Sequence, residues 1–366
     1  MADGPRALLP ALPWVDTSCR RITSPVKLVI QIPCFNEADT LPITLAGIPR
    51  ELDGFDAIET LVIDDGSVDG TAQIARELGV DHVVRIPENR GLAHAFSLGI
   101  QTSLELGADV IVNTDGDNQY PGDEIQRLVQ PIRAGVADMV IGDRQVMTIG
   151  HFSATKKLLQ RLGSWVVRWA SGTNVPDATS GFRALSREAG LRLIILSNYT
   201  YTLETIIQAG KKGLAVTSVP VRTNETLRQS RLIRSTPRYL LSSGGTILRI
   251  FLMYEPLQVF ITLGALLSAG GSALFARFMY FYIVGEGQGH IQSLIIASIL
   301  IVLGFQAFLL GLLADLIARN RRIVEEISYR TRKTNLEAMY PARGGSRASK
   351  GRGRATKVGK RPRHDQ

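Results

Sequence analysis

The chain has 366 residues, enough for about two domains. It carries 42 Lys and Arg against 33 Asp and Glu, a net charge of +9 at pH 7, and only two cysteines, Cys19 and Cys34. Two cysteines exclude a disulfide framework or a cysteine-based metal cluster, and the moderate charge excludes a chain that is disordered throughout.

In chain order, residues 1–25 contain Pro5, Pro10 and Pro13 and no long apolar stretch behind a basic start. They read as a loose lead-in, not a cleaved signal peptide. From residue 26 to about 220, short apolar runs alternate with helical patterns. Strands are expected at Val26–Ile32, Ala57–Ile63, His82–Arg85, Asp109–Asn113 and Asp138–Gly142. Helices are expected at Thr71–Leu78, Leu92–Leu106 and Asp123–Ala134, the first two closed by Gly79 and Gly107. This alternation predicts an open, mostly parallel α/β sheet. Ligands of such sheets bind outside the carboxyl ends of the strands. Three acidic loops fall there: Asn36-Glu37, Asp64-Asp65, and Asp115 to Gln119.

The third loop carries the most chemistry. Asp115, Asp117 and Gln119 follow the apolar run Val110-Ile111-Val112 at two-residue spacing. In extended chain that spacing puts three oxygen-bearing side chains on one face. Such a set suits a hard cation, Mg2+ or Mn2+. Turns also collect Asp for backbone reasons, so the motif alone leaves both readings open. Acids at three successive strand ends favour one common site.

Two long apolar runs come later, about 257–284 and 291–314, joined by Gly285-Glu-Gly-Gln-Gly-His290. Each is near the ~20 residues that cross a bilayer core. Arg277 interrupts the first near its exit end, where its head group can snorkel. The joining loop has no Lys or Arg, whereas Arg228, Arg231, Arg234, Arg238 and Arg249 precede the first run and Arg319, Arg321 and Arg322 follow the second. The positive-inside rule then places both termini in the cytoplasm, as expected for an integral inner-membrane protein. The tail 319–366 holds fifteen Lys and Arg against four acids and turns Gly/Ser-rich from about Gly344, which predicts disorder there. Lacking interleaved aromatics, it is read as lying near anionic headgroups, and no nucleic-acid partner is expected. Gly264, Gly270 and Gly271 suggest a homo-oligomer packed through its membrane helices. The expected organisation is thus lead-in 1–25, catalytic domain 26–232, interfacial segment 233–255, membrane hairpin 256–318 and tail 319–366.

Five motifs occur in order: Ile32-Pro-Cys-Phe-Asn-Glu37, Asp64-Asp-Gly-Ser-Val-Asp-Gly-Thr71, Asn89-Arg-Gly-Leu-Ala-His-Ala95, Asp115-Gly-Asp-Asn-Gln-Tyr-Pro121 and Thr179-Ser-Gly-Phe-Arg183. Together they resemble family 2 glycosyltransferases. With the membrane hairpin, the chain resembles their polyprenyl-phosphate, dolichyl-phosphate mannose synthase-like branch. The resemblance covers about residues 26–318. It implies a GT-A fold, a UDP- or GDP-sugar donor, and transfer to polyprenyl phosphate with inversion.

By position in the motifs, Pro33, Phe35, Glu37, Asp64, Asp65 and Gly91 line the nucleotide pocket. Asp117 and Gln119 hold the metal, and Asp115 contacts metal or ribose. Arg144 and Arg183 follow strand ends and suit phosphate oxygens, a structural salt bridge being the rival for both. Glu204 either bonds the donor sugar or is a solvated helix residue. Ser230 and Arg231 stand where the family has Ser-Lys in a loop over the site, and the loop's usual glycine is missing. A hydroxyl acceptor needs a base, and His94 and His151 have no catalytic context. A phosphate acceptor needs none, since its second pKa is ~6. The competing readings are a processive polysaccharide synthase, whose Gln-x-x-Arg-Trp is incomplete at Val167-Arg-Trp169, and an inert nucleotide-binding membrane scaffold.

Overall fold

The computed structural model describes residues 26–145, 167–169, 171–195, 201–224, 256–285 and 291–339. Seven strands form one sheet: β1 (Lys27–Cys34), β2 (Ala57–Asp65), β3 (His82–Ile86), β4 (Val110–Asn113), β5 (Met139–Asp143), β6 (Arg183–Ser186) and β7 (Val216–Pro220). Their spatial order is β3-β2-β1-β4-β6-β5-β7. β1, β2, β3 and β4 pair in parallel, as do β5 and β7, while β6 runs antiparallel between β4 and β5. The five expected strands are present, and β6 is the departure from a parallel sheet.

β1 explains its own apolar run. Residues 28–34 are all buried, because both faces of a central strand are covered. Alternate residues serve opposite layers. Val29, Leu61, Ile63 and Ile111 face helices α3 (Leu92–Glu105), α5 (Arg187–Arg192) and α6 (Tyr201–Lys211). Leu28, Ile30, Ile32, Val62 and Val112 face α1 (Leu41–Gly47), α2 (Thr71–Glu77) and α4 (Glu124–Arg133). α4 shows the matching period, burying Ile125, Leu128, Val129 and Ile132 at i, i+3, i+4 and i+7. The chain winds outward from β1 in both directions, to β2 and to β4. The crevice at that switch is where such a sheet binds ligands.

Helices α7 (Pro256–Val284) and α8 (Ile291–Met339) are long and apolar enough to cross a membrane, and most of their large apolar side chains are exposed. They pack tightly on each other through glycine. A Cβ on Gly264 would lie 2.8 Å from the Gly304 carbonyl oxygen, and one on Gly271 would lie 2.9 Å from that of Ala297. Of Gly264, Gly270 and Gly271, the pattern that suggested a homo-oligomer, the first and last therefore make close contacts within one hairpin.

α8 carries on into the tail: it remains helical to Met339, and its far end docks on the α/β domain. Tyr329 donates to Glu188 at 2.9 Å, Lys212 meets Glu325 at 3.0 Å, and Leu336 joins the core layer of α3, α5 and α6. The segments expected to be interfacial (233–255) and disordered (from 344) lie outside the described residues.

Candidate active site

The loops after β1, β2 and β4 are stitched together at the carboxyl end of the sheet. Cys34 and Asp64 are register partners, which sets the first two loops side by side. Asn36 N–H donates to Ser67 Oγ at 2.9 Å, and Asn36 Oδ1 accepts from Val68 N at 3.0 Å. Glu37 N–H donates to Thr71 Oγ1, and Ala38 N–H to Asp69 Oδ2, both at 3.0 Å. Asp69 thus ties the first two loops together and also accepts the Thr71 N–H. The third loop is anchored from α1: the Thr40 and Thr44 hydroxyls lie 2.9 and 3.1 Å from the Gly116 carbonyl oxygen. Gly116 is closely packed, since a Cβ there would sit 3.0 Å from Cys34 Sγ.

Acidic groups converge on this point. Burial pushes the Cys34 thiol well up, and the charges of Glu37, Asp64, Asp115 and Asp69 push it further. Asp115 is pushed up to about 7, first by burial and then by Asp117, against the opposing charges of Arg144 and Arg183. Adding a second anion to such a cluster is costly and adding a cation is favourable. Among the described residues, no trio of His, Cys, Asp or Glu is grouped to hold a cation by itself. Asp115 and Asp117 do fit a hard divalent ion that completes its shell with oxygens from a diphosphate and water.

The two-residue spacing does not act through an extended chain. β4 ends at Asn113, and Asn118 has φ 58°, so Asp115–Gln119 is a turn. In it Asp117 Oδ1 accepts the Gln119 N–H at 3.1 Å. Asn224, just past β7, closes the turn from outside. It donates from its backbone to the Gln119 carbonyl and from Nδ2 to the Asn118 carbonyl, both at 2.9 Å. Asn224, six residues ahead of Ser230 in the sequence, thus sits against the acidic turn. Ser230 and Arg231 lie outside the described residues.

On the nucleotide side, Pro33 is buried at the end of β1 and Phe35 is 39% exposed beside it. Asp64 is fully buried. Its Oδ1 accepts the Ser67 N–H, while Oδ2 has no hydrogen-bond donor among the described residues and lies 3.5 Å from Arg85 Nε. A buried acceptor short of a donor suits the ring N–H of a base. Asp65 has a different part. Its two oxygens accept the Arg90 and Gly91 N–H groups at 2.9 and 2.8 Å, so it ties the end of β2 to the start of α3. Gly91 has φ 93° and opens α3, a conformation that favours glycine.

Opposite the acids stand the two arginines, and they differ. Arg144, at the end of β5, grips Asp177 through Nε–Oδ2 (2.7 Å) and Nη2–Oδ1 (3.0 Å), and also reaches Thr179 Oγ1 (2.7 Å). Among the described residues its Nη1 has no acceptor, which leaves part of the fork for an anion. Arg183 corrects the expectation of a phosphate contact. It is wholly buried and its five donors are occupied: Nε and Nη2 by the Ser180 carbonyl, Nη2 also by that of Ala178, and Nη1 by the Thr202 carbonyl and Thr205 Oγ1. It ties the 178–180 loop to the start of α6. Glu204 is equally buried, which removes the solvated alternative, and it accepts from Gln208 at 3.2 Å.

Sequence reasoning gave no role to Asp177, Thr179, Asn113, Tyr201 or Asn224. Asp177 and Thr179 carry a usable signal, an acid just ahead of the Thr179–Arg183 motif and the hydroxyl that opens it. The others reach the site from other elements, which short motifs do not encode.

A model of glycosyl transferase family 2 matches residues 29–190. An uncharacterized protein of Methanocaldococcus jannaschii is 33% identical over 54% of this chain and 81% of its own length. The undecaprenyl-phosphate mannosyltransferase of Micrococcus luteus is 30% identical over 54% of this chain and 83% of its own. The chain belongs to glycosyl transferase family 2. It groups with the branch whose members are named for polyprenyl- or dolichyl-phosphate sugar transfer. This glycosyltransferase has the open α/β sheet of the GT-A fold. A crystal structure of glucosyl-3-phosphoglycerate synthase from Mycobacterium tuberculosis superposes with a TM-score of 0.49 at 20% identity, over 63% of this chain and 80% of that one.

Proposed function

We propose that this glycosyltransferase moves a hexose from a UDP- or GDP-sugar to polyprenyl phosphate at the cytoplasmic face of a membrane, with inversion. The observation that carries the reading is the Asp115–Asp117 carboxylate pair at the sheet's switch point, on a chain that continues into two helices able to cross a bilayer. The polyprenyl-phosphate names of its relatives support the acceptor.

In this reading Pro33, Phe35 and Asp64 take the base, Asp64 Oδ2 accepting its ring N–H. Asp65 and Gly91 shape the pocket wall, with Glu37 at its floor. Asp115, Asp117 and Gln119 hold Mg2+ or Mn2+, which when bound offsets charge on the departing diphosphate. The Nη1 edge of Arg144 orients a phosphate, and Ser230 and Arg231 bind the acceptor phosphate. Glu204 supports the sugar side of the pocket from α6. An acceptor phosphate is already anionic near neutrality, so no side chain has to remove a proton. Catalysis is then positioning and charge stabilisation. In-line attack on the anomeric carbon from the face opposite the diphosphate inverts it. Both termini, and the site, lie on the cytoplasmic side.

The test is nucleotide release by the detergent-purified protein with Mn2+ or Mg2+, across UDP- and GDP-sugars, with and without polyprenyl phosphate. Release that needs one donor and the lipid phosphate together is expected. Donor turnover that ignores the lipid would refute the acceptor.

A further inference from the structure

We infer that Asn224 is a positioning residue for Asp117, its side-chain amide holding in place the peptide unit that fixes the carboxylate. The inference rests on the proposed metal role of Asp117 and deepens it.

The link runs through one peptide. The Asn118 carbonyl and the Gln119 N–H belong to the same planar unit and point in opposite directions. On one side the Gln119 N–H donates to Asp117 Oδ1 at 3.1 Å. On the other the Asn118 carbonyl accepts from Asn224 Nδ2 at 2.9 Å. The peptide cannot turn without breaking both bonds, and each polarises it in the sense that strengthens the other. The Asn224 N–H holds the next peptide as well, donating to the Gln119 carbonyl at 2.9 Å. Such a hold is needed here, because Asn118 has φ 58°, a left-handed conformation that asparagine tolerates but does not favour. Among the described residues, Asp117 accepts no other hydrogen bond. The orientation of this one peptide therefore sets that of the carboxylate.

Asn224 reaches the turn from a fixed base. Three residues earlier, the Val221 N–H donates to the Asp143 carbonyl at 2.9 Å, and the Val221 side chain is buried in the same core layer as Phe182. Arg222 then donates from Nε to Glu124 Oε1 at 2.5 Å and from Nη2 to Asp123 Oδ2. Glu124 is buried at the start of α4, the helix that follows the acidic turn. Residues 221–224 are thus fastened both to the end of β5 and to the start of α4. A side chain on so anchored a segment can transmit position to the turn, because its own mount does not give. An apolar residue at 224 would keep the main-chain bond to Gln119 and leave the Asn118 carbonyl without this donor.

Asn224→Ala removes the amide, and Asn224→Leu removes it while keeping nearly its volume. Calorimetric titration of the full chain with UDP and GDP, at a series of Mn2+ concentrations from zero, reads the metal-linked contribution. Loss of one neutral hydrogen bond raises the Mn2+ concentration for half-maximal nucleotide binding about fivefold in both variants. Saturating Mn2+ restores wild-type affinity, and the melting temperature stays near that of the wild type. A purely structural amide would lower the melting temperature and weaken nucleotide binding at every Mn2+ concentration, without rescue, and that result overturns the assignment. So do variants with the wild-type Mn2+ dependence. A wild type that binds neither nucleotide in the presence of Mn2+ overturns the proposed function, and this inference with it.

Discussion

Arg144 and Asp177 meet fork to fork, with Nε–Oδ2 at 2.7 Å and Nη2–Oδ1 at 3.0 Å, across 33 residues of chain. Asp177 is 2% exposed and Arg144 18%, so the pair is largely shielded from water. Burial raises the Asp177 pKa, but the charge and hydrogen bonds of Arg144, with the Thr179 hydroxyl, outweigh it and hold the carboxylate below its usual range. Removing one partner strands the other. Asp177→Ala is expected to cost about 2–3 kcal/mol of stability, under the fully buried range because Arg144 keeps some hydration. The sign of the pH dependence follows. A depressed folded pKa gives stability that is fully present above the unfolded value of ~3.9 and lost as pH falls through the folded value. Wild type and variant should therefore converge in melting temperature below about pH 4. A constant gap down to low pH would refute the ion pair.

Asp117→Ala tests the acidic turn. Asp117 contributes one carboxylate of the proposed metal site and a cap on the Gln119 N–H. Loss of the cap costs about 1 kcal/mol, so the protein stays folded, whereas turnover should vanish. Thermal melting and nucleotide release measure the two separately. An active variant would remove Asp117 from the metal site.

The acidic loops were legible in the sequence because carboxylates at strand ends are visible as letters and the strands that carry them show continuous apolar runs. Each expected strand and helix of the nucleotide half is present. The role of Arg183 was not legible. An arginine after a strand end reads the same whether it points outward or is buried, and its partners here are mostly main-chain carbonyls. β6 shares that difficulty: Arg183-Ala-Leu-Ser186 is too short to declare its direction. The docking of α8 was not legible in the tail's charges, because the few contacts that make it come from another element.

Mn2+ affinity should rise with pH through neutrality. Asp115 is pushed up to about 7 by burial and by Asp117, so below that pH the carboxyl carries a proton that the cation must displace. Titrations at pH 6 and pH 8 should differ, with tighter binding at pH 8. Binding near pH 7 should release protons, which repeat titrations in buffers of unlike ionisation heat detect. A pH-independent affinity with no proton release would show that Asp115 does not bind the cation.

Gly181→Ala tests the same spot by steric pressure. The added methyl would sit 3.0 Å from both Asp115 oxygens and 3.1 Å from the Tyr201 oxygen, tighter than most such contacts. Asp115 must shift by a fraction of an ångström, and displacements of that order reduce turnover about tenfold or more. Metal-dependent nucleotide binding should weaken in parallel. Unchanged kinetics would mean that Asp115 tolerates displacement and is not a first contact of the metal.

The length of α8 sets the last expectation. At ~1.5 Å per residue the 49 residues of α8 extend about 74 Å, more than twice the ~30 Å core of a bilayer. The excess reaches the α/β domain, where Tyr329 bonds Glu188 and is capped by the Arg192 guanidinium 5.1 Å from its ring centroid. Leu336, 7% exposed, fills the core beneath. Leu336→Ala should cost about 2 kcal/mol, at the low end for a core leucine because the site lies at the domain edge. Tyr329→Phe should cost about 1 kcal/mol through its lost hydrogen bond. Deleting the chain from Gly344 spares these contacts and should leave both melting and turnover unchanged. Ending it ahead of Arg319 removes them and should lower the melting temperature of the catalytic domain. If that shorter chain melted like the full one, the docking would contribute no stability, and α8 would act as a membrane anchor alone.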